Sequence, residues 1–193
     1  MLILARHGQT SANAEGRLCG RADVPLTDLG RRQAAAMAAG VGRPARVISS
    51  PLRRALDTAA AFGRPVEVDE RWIELDYGRL DLQPFGEVGA DVWDAWRKDC
   101  DYVPGGGESL SELGRRVRAA CAELAEAAAA ADIVVVSHVS PIKAAIAWAL
   151  RTGDDVAWRL HVRDASVHRI LTDGPAPRLV AFNEVHPPPG AEG

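Results

Sequence analysis

The chain has 193 residues, 47% hydrophobic and 25% charged, a length and balance that suit one ordinary globular domain and exclude a fibrous or wholly disordered chain. A formal charge of -3 with scattered arginines excludes the basic stripe of a nucleic-acid binder, while leaving room for a local pocket of converging arginines. Cys19, Cys100 and Cys121 are odd in number without Cys-x-x-Cys spacing, the apolar start before Arg6 is too short for a signal-peptide core, and no run reaches membrane-spanning length, so a cytoplasmic protein with reduced thiols and no membrane partner is expected.

In chain order, the apolar run Leu2-Ile3-Leu4-Ala5 predicts a buried first strand ending at Arg6 and His7. Thr27 stands as an N-cap, and Leu29, Ala34, Met37 and Ala38 keep helical spacing until Gly40 and Gly42. Arg46 to Ser49 predicts a second strand, with Ser50 and Pro51 as cap and first position of a helix reaching about Phe62. Val66 and Val68 suggest a brief third strand. The pattern breaks around Pro84 and Gly86 before a modest helix near Val92 to Trp96.

After the turn at Gly105-Gly106-Gly107, Ser109 and Glu112 fit a capping box for a long helix toward Ala131. Ile133 to Val136 is the clearest buried strand, and Pro141 to Leu150 has the composition of a helix. Ser166 to Leu171 and Arg178 to Phe182, parted by Asp173-Gly174-Pro175, read as a hairpin, and 187–193 as a disordered tail. The alternation predicts an α/β fold: a three-layer sandwich with a largely parallel central sheet and a small inserted lobe at about 77–104, in a single domain over 1–186.

Ligands of such sheets bind beyond the carboxyl ends of the strands. That edge receives Arg6 and His7 after the first strand, Arg54 after the second, Glu74 after the third, and Ser137 and His138 after the Val-rich one. Two histidines, two arginines and a glutamate form a phosphoryl-transfer set, since a phosphate ester needs charge neutralisation, a nucleophile and a proton for its leaving oxygen. Arg6 and Arg54 offer planar forks that match phosphate oxygens bidentately, and a neutral His7 imidazole can attack.

Arg6-His7-Gly8-Gln9-Thr10 resembles the Arg-His-Gly signature of the histidine phosphatase superfamily, in its phosphoglycerate mutase-like branch 1. Ser50-Pro51-Leu52-Arg53-Arg54-Ala55-Leu56-Asp57-Thr58-Ala59 is similar to its second block, Glu74-Leu75-Asp76-Tyr77-Gly78 to its Glu-x-x-aromatic-Gly block, Gly107-Glu108-Ser109 to its Gly-Glu-Ser block, and Val136-Ser137-His138 to its second-histidine block. The resemblance covers nearly the whole chain and implies a phosphate-binding Arg6, a nucleophilic His7, Asn13 lining the pocket, Arg54 and His138 completing it, and Glu74 as proton donor, with Asp76 as the fallback. Val139 stands where Gly is commoner and joins the substrate-binding set.

The remaining candidates take plainer readings. His161, His168 and His186 are assigned no site role, and no His-x-x-Glu-His spacing suggests zinc. Arg115, Arg116 and Arg118 are read as a solvated helix face, with the alternative that one leans into the pocket; Glu108 is read as a charge near a helix start, with substrate contact as its alternative. Trp93 and Trp96 are read as core, or as contacts for an organic leaving group. The expectation is a phosphomonoesterase for small-molecule esters that needs no metal or cofactor; a phosphoglycerate mutase and a catalytically silent phosphate-binding protein are the alternatives, and no oligomeric state is indicated.

Overall fold

The computed structural model describes residues 1–188; the expected disorder of the tail therefore falls, for 189–193, outside the described residues. Strands run Leu2–Arg6 (β1), Arg46–Ser49 (β2), Val66–Val68 (β3), Ile133–Ser137 (β4), Ser166–Leu171 (β5) and Arg178–Val185 (β6). Helices run Ser11–Ala14 (α1), Asp28–Val41 (α2), Arg53–Ala60 (α3), Ala90–Lys98 (α4), Leu110–Ala130 (α5) and Val139–Leu150 (α6). One sheet of order β3-β2-β4-β1-β5-β6 holds all six strands. β3, β2, β4 and β1 are parallel to one another, and β5 pairs antiparallel with β1 and β6 antiparallel with β5, in keeping with the largely parallel sheet expected.

Strand side chains alternate between faces, and both faces are covered. Leu2, Leu4, Ile48, Ile133 and Val135 pack with Leu113, Val117 and Cys121 of α5 and Ile142 and Ile146 of α6. Ile3, Ala5, Val47, Val134 and Val136 pack with Met37 of α2 and Ala55 and Ala59 of α3. This three-layer burial is why β1 and β4 are continuous apolar runs rather than alternating ones; each fully buried Leu, Ile or Val contributes about 1.5–3 kcal/mol by leaving water. Tyr77, Val88 and Trp96, from the segment expected as an inserted lobe, are buried in the first of these clusters.

Local signals hold where the cap residue is free to act. The Thr27 side chain accepts from the Gly30 N–H at the start of α2, and Ser109 and Glu112 form the reciprocal capping box of α5. They fail where the residue has other work. Ser50 and Pro51 do not open α3, which starts at Arg53 after Leu52 as N-cap; the Ser50 hydroxyl accepts from the Leu52 N–H at 3.3 Å and is also bonded to the His138 ring at 2.7 Å. α6 begins at Val139 rather than Pro141, β6 extends past Phe182 to Val185, and the one-turn α1, closed by a Thr10/Asn13 capping box, has no counterpart in the sequence reading.

Candidate active site

The register of the sheet sets Arg6 beside Ser137 at the carboxyl ends of β1 and β4, and the His7 N–H donates to the Ser137 carbonyl at 3.0 Å. The next residue on each strand is a histidine, so the two imidazoles lie side by side with centroids 5.0 Å apart. The turn after β1 is clamped from two sides. The Gly8 N–H donates to Thr58 Oγ1 of α3 at 3.1 Å, and Gly8 and Gly30 of α2 meet so closely that a β-carbon on either would overlap facing backbone.

Within this frame the protonation of His7 follows from its partners. A carbonyl only accepts, so His7 Nδ1 carries the proton and donates to the Gly8 carbonyl at 2.7 Å. Arg54 Nε–H only donates, and it lies 3.3 Å from His7 Nε2 and 3.2 Å from His138 Nδ1. His7 Nε2 therefore presents a lone pair, and His138 carries its proton on Nε2, donating to Ser50 Oγ. Burial, then the charges of Arg54 and Arg6, holds the His7 imidazole well below its ordinary value, and burial with Arg54 does the same to His138. His7 is a neutral, oriented base or nucleophile.

The arginines are more committed than a free fork. Arg54, fully buried, spends Nη1 on the Ala22 carbonyl at 2.8 Å and Nη2 on the Gly20 carbonyl at 2.6 Å. Arg6 spends Nη1 on the Val162 carbonyl and Nη2 on Asp164, both at 2.7 Å, leaving its buried Nε without a partner among the described residues. Each guanidinium is anchored through its two terminal nitrogens, and Arg54 turns Nε toward the two histidines. The anchoring removes rotamer freedom before any ligand arrives.

Glu74 is buried and lines the same cavity as His7. Its Oε1 accepts from the Leu75 N–H at 2.7 Å and the Ser140 N–H at 3.2 Å. Burial raises its carboxyl above the ordinary value, with those two N–H groups and Arg54 opposing. The segment carrying it is tied down by Ser137 Oγ donating to the Trp72 carbonyl at 2.6 Å and by Arg116, which donates to the Arg71 carbonyl at 2.6 Å and is paired with Glu108 at 2.8 Å. Arg116 and Glu108 thus form a partly buried strut, which corrects the solvated-face reading of Arg116. Arg115 is exposed and Arg118 pairs with Asp154 at 2.6 Å. Asp76 turns away to accept from the Gly78 N–H and pair with Arg21.

Arg6, His7, Asn13, Glu74 and Val139 line a cavity of about 340 Å³, while Arg54 and His138 form a fully buried layer behind His7. Above the polar floor the walls are aromatic. Trp93 and Trp96 stack with centroids 5.6 Å apart, and Trp158 meets Trp96 edge-on at 5.3 Å. Trp96 is thus both core and cavity wall, so the two readings offered for it hold together. Lys143, Trp158 and His161, the last of them assigned no site role from the sequence, also line the cavity. Lys143 carried a usable signal, lying four residues after Val139 on one face of α6; Trp158 and His161 sit on a 3-10 turn and the loop after it, and nothing local marks them.

Among the described residues, no group of His, Cys, Asp and Glu has a metal-holding arrangement, and no helix is long and apolar enough to cross a membrane. A sequence profile of the histidine phosphatase superfamily (branch 1) matches residues 2–185. A bifunctional protein of Mycobacterium tuberculosis is 38% identical over 176 residues, covering 86% of this chain and 48% of its own length. The chain thus spans about half of that relative. Mycobacterial glucosyl-3-phosphoglycerate phosphatase superposes with a TM-score of 0.85 at 32% identity over 94% of this chain and 98% of its own. Phosphoserine phosphatase of Entamoeba histolytica, solved with 3-phosphoglyceric acid, gives 0.88 at 27% identity over 95% and 96%.

Proposed function

Because this chain belongs to the histidine phosphatase superfamily (branch 1), we propose that it hydrolyses small-molecule phosphate monoesters through a phosphohistidine formed on His7. One observation carries the reading: His7 is held as the Nδ1 tautomer by the Gly8 carbonyl, with its Nε2 lone pair beside Arg54 Nε and in the same cavity as Glu74.

In the proposed cycle His7 Nε2 attacks phosphorus while the Glu74 carboxyl gives its proton to the departing alcohol oxygen. The new imidazolium sheds no proton, since Nδ1–H stays on Gly8. Water then attacks the phosphohistidine, Glu74 takes that water's proton, and inorganic phosphate leaves with His7 neutral again. Arg6 and Arg54 stabilise the transferring group through Nε, His138, anchored on Ser50, completes the pocket beside Arg54, and Asn13 and Val139 bound the group's place in the cavity. Binding a phosphate dianion draws the Arg54 Nε–H off the two imidazoles. The phosphatase names of the relatives support a small phosphate ester as the partner. The free thiols of Cys19, Cys100 and Cys121 support a cytoplasmic setting, and the continuous core supports 1–186 acting as one domain.

The test is release of inorganic phosphate by wild type and His7→Ala, with EDTA present, from a panel including 3-phosphoglycerate and an aryl phosphate. Turnover in wild type that vanishes in the variant is expected. Isomerised phosphoglycerate with little free phosphate would favour a mutase, and calorimetric binding without turnover a silent phosphate binder; either outcome overturns the hydrolase reading.

A further inference from the structure

Lys143 is a cavity-wall cation that the proposed cycle does not use. It is half-buried and lines the cavity with His7 and Glu74, yet it takes part in none of the ion pairs or hydrogen bonds formed among the described residues. The acids of that wall are already engaged: Asp164 holds Arg6 at 2.7 Å, and Glu74 Oε1 accepts two backbone N–H groups. Arg17, the other cation of the outer wall, is paired with Glu15 at 2.7 Å. An ammonium withdrawn from water without a counter-ion is costly, and burial lowers its proton affinity. A chain that keeps one on a binding wall gains only if an anion arrives to pair with it.

Its placement says which part of a ligand that anion belongs to. Ser140, one turn before Lys143 on α6, gives its N–H to Glu74, so the turn of α6 that carries Lys143 is tied to the proton donor. α6 packs against the 3-10 turn that carries Trp158, and Trp158 with Trp96 and Trp93 lines the same cavity, surfaces that take carbon skeletons rather than phosphate oxygens. A helix side chain leans back toward the helix N-terminus, which brings the long lysine stem up toward Val139 and the cavity.

We propose that Lys143 is a specificity-determining residue that pairs with a second anionic group, such as a carboxylate, on the alcohol portion of the ester, whose carbon skeleton packs on the tryptophan wall. This rests on the phosphatase reading. The preferred substrates are then phosphate esters of acidic alcohols, and the neutral analogue of each is a poor one.

The experiment compares 3- and 4-carboxyphenyl phosphate with their uncharged carboxamide counterparts, measuring kcat and KM for wild type, Lys143→Met, Lys143→Gln and Lys143→Arg. Wild type is expected to prefer the carboxylate by about tenfold in kcat/KM in at least one pair, mainly through KM, the size of one charge-assisted hydrogen bond. The ratio falls to about one in the Met and Gln variants and survives in Arg. A lysine that only supports Glu74, or that holds the phosphate itself, would lower both members of a pair together and leave the ratio unmoved, which would overturn the proposal. A wild-type ratio near one in both pairs would also sink it. Absence of phosphate release from every ester strikes the hydrolase reading instead, and this one with it.

Discussion

Replacing Glu74 with Gln isolates one proton. Both short backbone contacts of the carboxylate fall on Oε1, from Leu75 at 2.7 Å and Ser140 at 3.2 Å. A glutamine with its carbonyl oxygen there keeps both and puts an amide where the acid proton was. Geometry is conserved and donor acidity is lost. General acid catalysis contributes about 10²–10⁴ in rate, so turnover of an alkyl phosphate, whose alkoxide leaves poorly, should fall by about 10²–10³, or roughly 3–4 kcal/mol of barrier. An activated 4-nitrophenyl ester, which leaves unaided, should lose less than about tenfold. The assay is kcat/KM for both esters against pH. Because burial raises the Glu74 carboxyl, the alkaline limb for the alkyl ester lies above the ordinary value of 4.5, and it should vanish in the variant. Equal losses on both esters would remove Glu74 from the acid role.

The same burial predicts a stability gain. A carboxyl whose folded pKa is raised binds its proton more tightly folded than unfolded, so stability falls as pH rises from 4.5 through the folded value. Glu74→Gln should therefore melt higher than wild type near neutrality, with the gap closing by about pH 4; differential scanning calorimetry at the two pH values reads it. The histidines carry the opposite sign: His7 and His138 are pushed well below 6.5, and His168, buried on β5, to about 4. The unfolded chain then binds more protons, so stability is lost as pH falls below 6.5. His168→Gln should make that acid slope shallower, and a melting temperature flat across the window would refute the argument. Arg54→Lys should cost about 10²–10³ in kcat, since one ammonium cannot hold Nε toward the histidines while serving the Gly20 and Ala22 carbonyls. Steady-state kinetics reads that loss, and near-wild-type turnover would contradict it.

The layers of the fold were legible because the signals that mark them are local and strong. Ile133 to Val136 is apolar at every position since both faces of β4 are covered, and the Ser109/Glu112 box satisfies its own helix end without outside help. Ser50 misled for the reverse reason. It has the chemistry of a cap, but its hydroxyl is shared between the Leu52 N–H and His138, which lies 88 residues away along the chain. Local propensity cannot register a competing long-range partner.

The site divides along the same line. Arg6, His7, Ser137 and His138 are placed by strand register alone, so an apolar run followed by the right residue types suffices to locate them. How Arg6 and Arg54 are used was not visible, because it depends on which carbonyls, Val162, Gly20 and Ala22, come within reach of the guanidinium termini. The cavity wall is further still from any local pattern. Trp93 and Trp96 lie on α4, Lys143 on α6 and Trp158 on a 3-10 turn, and they meet only through packing of the finished core. On the proposed reading, the histidines and Arg6 sit where the sheet fixes them, whereas the leaving-group wall comes from three separate segments. If the wall selects the ester as proposed, a substitution at Trp158 or Lys143 should change which ester is preferred while the buried Arg54, His7 and His138 contacts stay as they are, so substrate preference can shift without rebuilding the phosphate chemistry.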